Sequence, residues 1–251
     1  MASKPGVKKV DTPRKAWERV RATEIQLLRK MRQITKHIGQ MVSSFPQAGL
    51  NAPETDDVTN LLDRYGRLLD PWAKVQGDRM VAEIAKRDEL AWMRNSSRMA
   101  TLIRAEIATA PTGYVLQAAS QRVASLITSL PIEAAQRIRN LTLEARASGT
   151  RPEDLVAAIQ ASGNVTTSRA RLIARTEVAR TASLLTQARA EHVGSTHYVW
   201  ATVRDSDVRK SHKEMEGKVI AWANPPTLSD GTTCHAGQIY NCRCFPEPLF
   251  D

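Results

Sequence analysis

The chain has 251 residues, of which 42% are hydrophobic but only 5% aromatic, and its formal charge is +10. This length is enough for one or two domains with a buried core, so stability need not rest on staples. No run approaches the roughly 18 apolar residues of a membrane span, and Met1-Ala-Ser-Lys-Pro5 lacks the apolar centre of a signal peptide, so the sequence predicts a soluble protein made in a reducing cytoplasm.

Alanine, leucine, arginine and isoleucine dominate long stretches with few turn residues, which favours helices over sheets. The predicted fold class is mainly α, with a helical N-terminal region and a small α+β C-terminal module. Residues 1–13, with Pro5, Gly6, Pro13 and scattered lysines, read as a flexible basic arm. From Lys15, Trp17, Val20, Leu27, Leu28, Met31, Ile34, Ile38 and Met41 recur at helical spacing, with cations between them. Residues 43–53 have the proline and glycine content of a linker. A second helix is predicted from Thr55 to Asp70, ended by Pro71, and a third from Trp72 to Thr109. Shorter helices follow over Tyr114–Leu130, Pro131–Ala147 and Pro152–Ala161, the last ending before Gly163. These elements make up a helical domain over 14–165.

The module expected over 166–251 starts with a helix from Thr167 to His192. Its projection puts Ile173, Glu177, Arg180 and Leu184 on one stripe. Two charges on a packing face are costly unless paired, so either Glu177 and Arg180 hold other segments in place or they form an ordinary surface pair. After Gly194 the period changes: residues 197–203 alternate and are rich in β-branched and aromatic side chains, which predicts a strand. A short helix over Asp207–Met215 capped by Ser206, a second strand from Val219, and a loop carrying the cysteines complete the reading.

Charge is concentrated at the start. Residues 1–50 hold six lysines and five arginines against Asp11, Glu18 and Glu24, a balance of +8. Such a local field attracts phosphates or an acidic protein surface, though a solvated helix face has the same composition. Lys8, Lys9, Arg14, Lys15, Arg19, Arg29 and Arg32 are the candidate contacts to DNA or an acidic partner, with the sequence-independent, salt-sensitive binding that phosphate contacts give.

All three cysteines, Cys234, Cys242 and Cys244, lie within eleven positions of one another, near His212 and His235. Thiolates and imidazoles are the ligands zinc prefers, so a structural zinc is expected; a disulfide from Cys234 or three reduced thiols are the alternatives. Cys242 and Cys244 are two apart and leave one face of an extended segment.

The run Ala174-Arg-Thr-Glu-Val-Ala-Arg180, then Tyr198-Val-Trp200, Asp205, Arg209, His212, Gly217 and Asn241-Cys-Arg-Cys244 with Pro246 and Pro248, resembles the phage Mu protein F-like family of head morphogenesis (minor capsid) proteins. Where family members show a proline-glycine pair before the Asn-Cys-Arg-Cys run, this chain has Ala236-Gly237. The resemblance implies a minor head protein of a tailed bacteriophage, present in the virion at the capsid interior or portal vertex. Its implied partners are the portal protein, a capsid or scaffolding protein, and packaged phage DNA; no membrane is involved. Some relatives carry a toxin domain after this module, and with seven residues past Cys244 none is expected here.

The resemblance also places a histidine at His212, which favours it over His235 as the fourth ligand beside Cys234, Cys242 and Cys244. Such a site would be closed and four-coordinate. Asp205 and Arg209, four apart, can pair with each other; the preferred arrangement is a buried network of Glu177, Arg180, Asp205 and Arg209. Trp200 and Trp222 are expected in the core of the small sheet.

No catalytic frame emerges. Ser195 and His197 lack a Gly-x-Ser-x-Gly setting, and neither a phosphate-binding glycine loop nor His-Glu-x-x-His occurs. Arg175-Thr-Glu177 lacks the strands and second acid of an ADP-ribosyl-transfer site. The expectation is a non-enzyme. A general DNA-binding protein and a metal-dependent nuclease that uses an unligated His212 are the alternatives.

Overall fold

The computed structural model describes residues 13–44, 52–95 and 110–250. In chain order it forms α1 (Pro13–Ser43), α2 (Ala52–Leu68), α3 (Asp70–Asn95), α4 (Gly113–Ser148), α5 (Pro152–His192), β1 (His197–Thr202), α6 (Lys210–Lys213), β2 (Val219–Ala221) and β3 (Cys244–Pro248). The mainly helical class with a small C-terminal sheet is as expected. The basic arm and most of the linker lie outside the described residues.

Several boundaries differ from the sequence reading. Helix α2 ends at Leu68, two residues before the expected Asp70, and Pro71 sits in the first turn of α3, where its missing N–H costs little. Helical bonding continues past it, with Leu69 N donating to Tyr65 O at 3.0 Å and Ala73 N to Leu69 O at 2.8 Å. Pro131 lies inside α4 rather than starting a new helix. An interior proline costs about 3 kcal/mol. Val123, Ile127 and Leu130 before it, and Ala134 and Ile138 after it, are buried on one continuous face, and that burial outweighs the lost bond. Gly163 likewise fails to end its helix, because Ile159, Ser162, Thr166, Ala170 and Ile173 keep one buried face running through it.

Two compact units form, and neither is a continuous stretch of chain. The first comprises 24–81 and 117–177. Its core is built from Leu27, Met31, Ile34 and Ile38 of α1, Leu62 of α2, and Ile127, Ile138 and Ile159 of α4 and α5. Helices α3 and α4 approach closely: a Cβ on Gly77 would stand 2.5 Å from the Ser120 carbonyl oxygen. Cross-helix ion pairs join Arg139 to Asp63, Arg169 to Glu133 at 3.3 Å and Arg175 to Glu24 at 3.4 Å.

Among the described residues, the second unit comprises 13–23, 82–95, 110–116 and 178–250, so it includes part of α3 together with the sheet. Its three-stranded antiparallel sheet has the order β2-β1-β3. Tyr198 faces Ile220 on one side and Pro248 on the other, and Trp200 faces Pro246. Strand β3 was expected as loop; its prolines disguise it, since proline is confined to edge strands. Trp92, Tyr198, Trp200, Trp222, Met215, Cys242 and Cys244 form one apolar cluster, so Trp200 and Trp222 are core residues.

Candidate metal centre

The site begins with how the C-terminal half of α5 receives the loop that follows β2. Ser183 Oγ donates to Ala236 O at 2.6 Å, and Arg180 Nε donates to Gln238 O at 2.8 Å. Between them Gly237 has φ +82, and a Cβ there would lie 3.0 Å from both Cys244 O and Ser183 Cβ. Only glycine fits this crossing, which sets the chain on course for the cysteines.

The segment that carries His212 is shorter than expected. Asp205 Oδ1 accepts from Asp207 N at 3.2 Å, an Asx-type turn that holds residues 205–208 out of the helix, and α6 starts only after Arg209, without a side-chain cap. Gly217, at φ +78, closes the turn and donates to Trp200 O at 2.8 Å, which ties it to β1. His212 is thereby driven inside, 2% exposed, with its ring edge-on to Trp200 at 5.6 Å between centroids.

Cys242 closes a turn from Ile239, after Asn241 at φ +52, and Cys244 opens β3 opposite Thr202. His212 Nδ1 lies 3.2 Å from Cys244 Sγ and 3.4 Å from Cys242 Sγ, and the three ligand atoms fall within 4.8 Å of one another. Cys244 N donates to Cys242 Sγ at 3.4 Å. The side-chain contact with Cys244, aided by His212, pulls the Cys242 thiol well below its usual range against the opposing effect of burial. Cys244 is pushed up by that same contact and by burial. Trp200 favours the Cys244 thiolate, although its indole nitrogen, like His212 Nε2, is buried without a hydrogen-bond partner of good geometry.

These donors suit zinc. Ligands held at about 2.0 Å (nitrogen) and 2.3 Å (sulfur) on one tetrahedral ion stand about 3.5 Å apart as nitrogen and sulfur, and the observed separations lie close to that. The donor set is smaller than expected, however. Cys234 is not part of the group: half-buried, it lies against the apolar cluster, its thiol raised to about 11, chiefly by burial. Among the described residues three ligands converge rather than four. His235 is committed elsewhere, with its Nδ1 at 3.1 Å from the Tyr198 hydroxyl.

Each member of the expected network of Glu177, Arg180, Asp205 and Arg209 has a partner outside those four. Glu177 is buried as its stripe implied, but its Oε2 takes Arg122 Nε at 2.5 Å, a partner on α4 that periodicity within α5 could not reveal. Arg180 serves the Gln238 carbonyl. Asp205 pairs with Arg243, which also reaches Asp207 at 2.9 Å. Arg209 donates to Tyr240 O at 3.0 Å and stacks 4.8 Å from that ring's centroid. Sequence reasoning missed Arg243, although its place between two inward cysteines on an extended segment turns it to the opposite face.

Of the basic candidates, Lys8 and Lys9 and the side chains of Arg14, Lys15 and Arg19 lie outside the described residues. Arg29 and Arg32 are exposed on α1, one turn apart and in line with exposed Lys36.

Residues 136–246, which span the metal centre and the helices leading to it, match the model of the family described as phage Mu protein F like protein. Over this segment the chain is similar to the phage Mu protein F like family. A Haemophilus influenzae relative, itself described only as an uncharacterized protein, is 37% identical over 126 residues, which is 50% of this chain and 27% of the relative. The chain thus spans about a quarter of the length of that relative. No solved structure matches.

Proposed function

We propose that this protein is a head morphogenesis protein of a tailed phage, a minor component of the virion that acts by binding rather than by catalysis. The family match over 136–246 carries this reading. In its support, no helix among the described residues is long and apolar enough to cross a membrane, and the module is organised round one apolar cluster that includes two of the candidate ligands. His212, 2% exposed and with Nδ1 against two sulfurs, is placed as a ligand rather than as a base beside solvent.

His212, Cys242 and Cys244 would hold a structural zinc that clips α6 to β3 and sets the docking face of the module toward the portal. The exposed cations of α1, Arg29 and Arg32 with Lys36, would meet packaged DNA or an acidic capsid or scaffolding partner.

Co-expression with the neighbouring portal gene product tests the reading: the two copurify, and a chain that never associates with portal or procapsid overturns it. Filter binding at two salt concentrations, with the parent and with exposed Arg29, Arg32 and Lys36 all changed to Glu, tests the DNA contact. The triple change should weaken binding and flatten its salt dependence. Unchanged affinity removes that role.

A further inference from the structure

Across the α2–α3 junction one face is buried and a neighbouring face is apolar but uncovered. Leu61, Tyr65, Leu68, Trp72 and Val75 follow one another at intervals of four, three, four and three residues. The bonds from Leu69 and Ala73 keep the helical ladder running past Pro71, so these five form a single stripe about 21 Å long. Leu68 is 70% exposed, Leu61 47% and Val75 44%, while Tyr65 and Trp72 are half-buried. The core is served by other positions of the same helices, Leu62, Leu69, Ala73 and Met80. Nothing in that packing requires an apolar stripe outside it.

We propose that this stripe is an interface for the same stripe of a second copy, packed antiparallel. The alternating interval of four and three is the seam of a left-handed coiled coil, whose natural partner is a helix with the same repeat. Taking Leu61, Leu68 and Val75 as d and Tyr65 and Trp72 as a, antiparallel packing seats Leu68 against Trp72 of the other copy and Tyr65 against Val75. The two-fold axis generates each layer twice.

Charge fixes the direction. In this register the flanking g positions carry exposed Arg64 and exposed Asp78, and Arg64 of each copy comes beside Asp78 of the other. One Asp78 oxygen accepts from Ser120 Oγ at 2.6 Å, which leaves the second carboxylate oxygen for the arginine. Parallel packing would instead set Leu61 on Leu61 and Tyr65 on Tyr65, with no opposite charge for Arg64.

Sedimentation equilibrium of the full chain tests this. The protein should dimerise, and Leu68→Glu, at a side chain exposed enough to leave the fold and its melting temperature intact, should weaken association at least tenfold. Arg64→Glu should weaken it several-fold, and Arg64→Glu with Asp78→Arg should restore it. A chain that stays monomeric up to about 100 μM, or a Leu68→Glu protein that associates as the parent does, overturns the proposal. Failure of the paired swap to restore association, with melting unchanged, overturns the antiparallel arrangement.

Discussion

Arg189 of α5 and Asp88 of α3 meet at 2.6 Å with side chains only 7% and 8% exposed, an ion pair held within the unit that carries the sheet. Burial raises the Asp88 carboxyl to about 6 in spite of the arginine beside it. The folded state therefore holds this proton more tightly than the unfolded chain, whose value is near 3.8. Asp88's contribution to stability is full below about pH 4 and is lost as pH rises through about 6. Melting temperatures of the parent and Asp88→Asn should differ most, in the parent's favour, near pH 4, and the gap should shrink by pH 6.5. A gap that widens with pH would contradict this account of the pair.

The purified protein should carry about one zinc per chain, since three soft ligands are already gathered. His212→Ala, Cys242→Ser and Cys244→Ser should each abolish retention, whereas Cys234→Ser should keep it. Elemental analysis decides between this and the four-ligand set, in which Cys234→Ser would lose metal with the others. Chelation should lower the melting temperature of the parent, because an ion bound only by the folded state stabilises it.

Glu177→Ala should cost about 2 kcal/mol in urea denaturation, less than for a fully buried pair, because the freed Arg122 side chain is 33% exposed and can reach water. A loss below about 0.5 kcal/mol would mean that the bond between α4 and α5 contributes nothing.

Gly237→Ala should cost about 1–3 kcal/mol, because it adds a Cβ at 3.0 Å from Cys244 O to a backbone at φ +82. Zinc affinity should fall with it, because that crossing sets the position of Cys244. Equal metal affinity in parent and variant would show the crossing to be incidental.

Local pattern made much of this legible. Alternation in residues 197–203 revealed β1, and the crowding of the three thiols pointed to the region where Cys242 and Cys244 meet His212, because alternation and cysteine spacing are written in neighbouring positions. What escaped depends on distant partners. Glu177 was recognisable as a buried charge, but Arg122 lies 55 residues earlier on another helix. Pro131 and Gly163 read as helix ends because their local cost is visible in sequence, whereas the buried faces that override it are not. Cys234 looks like a ligand by proximity in sequence, yet its sulfur stays outside the group formed by His212, Cys242 and Cys244.

Strand β3 pairs with β1 through its odd-numbered residues, as Leu249 N donating to His197 O shows, so Pro246 and Pro248 face the open side of the sheet. At these two positions that margin offers carbonyls but no amide hydrogens. An incoming peptide strand would find acceptors there but no donors, so the rim resists extension by a fourth strand and disfavours fusion of crowded copies through it.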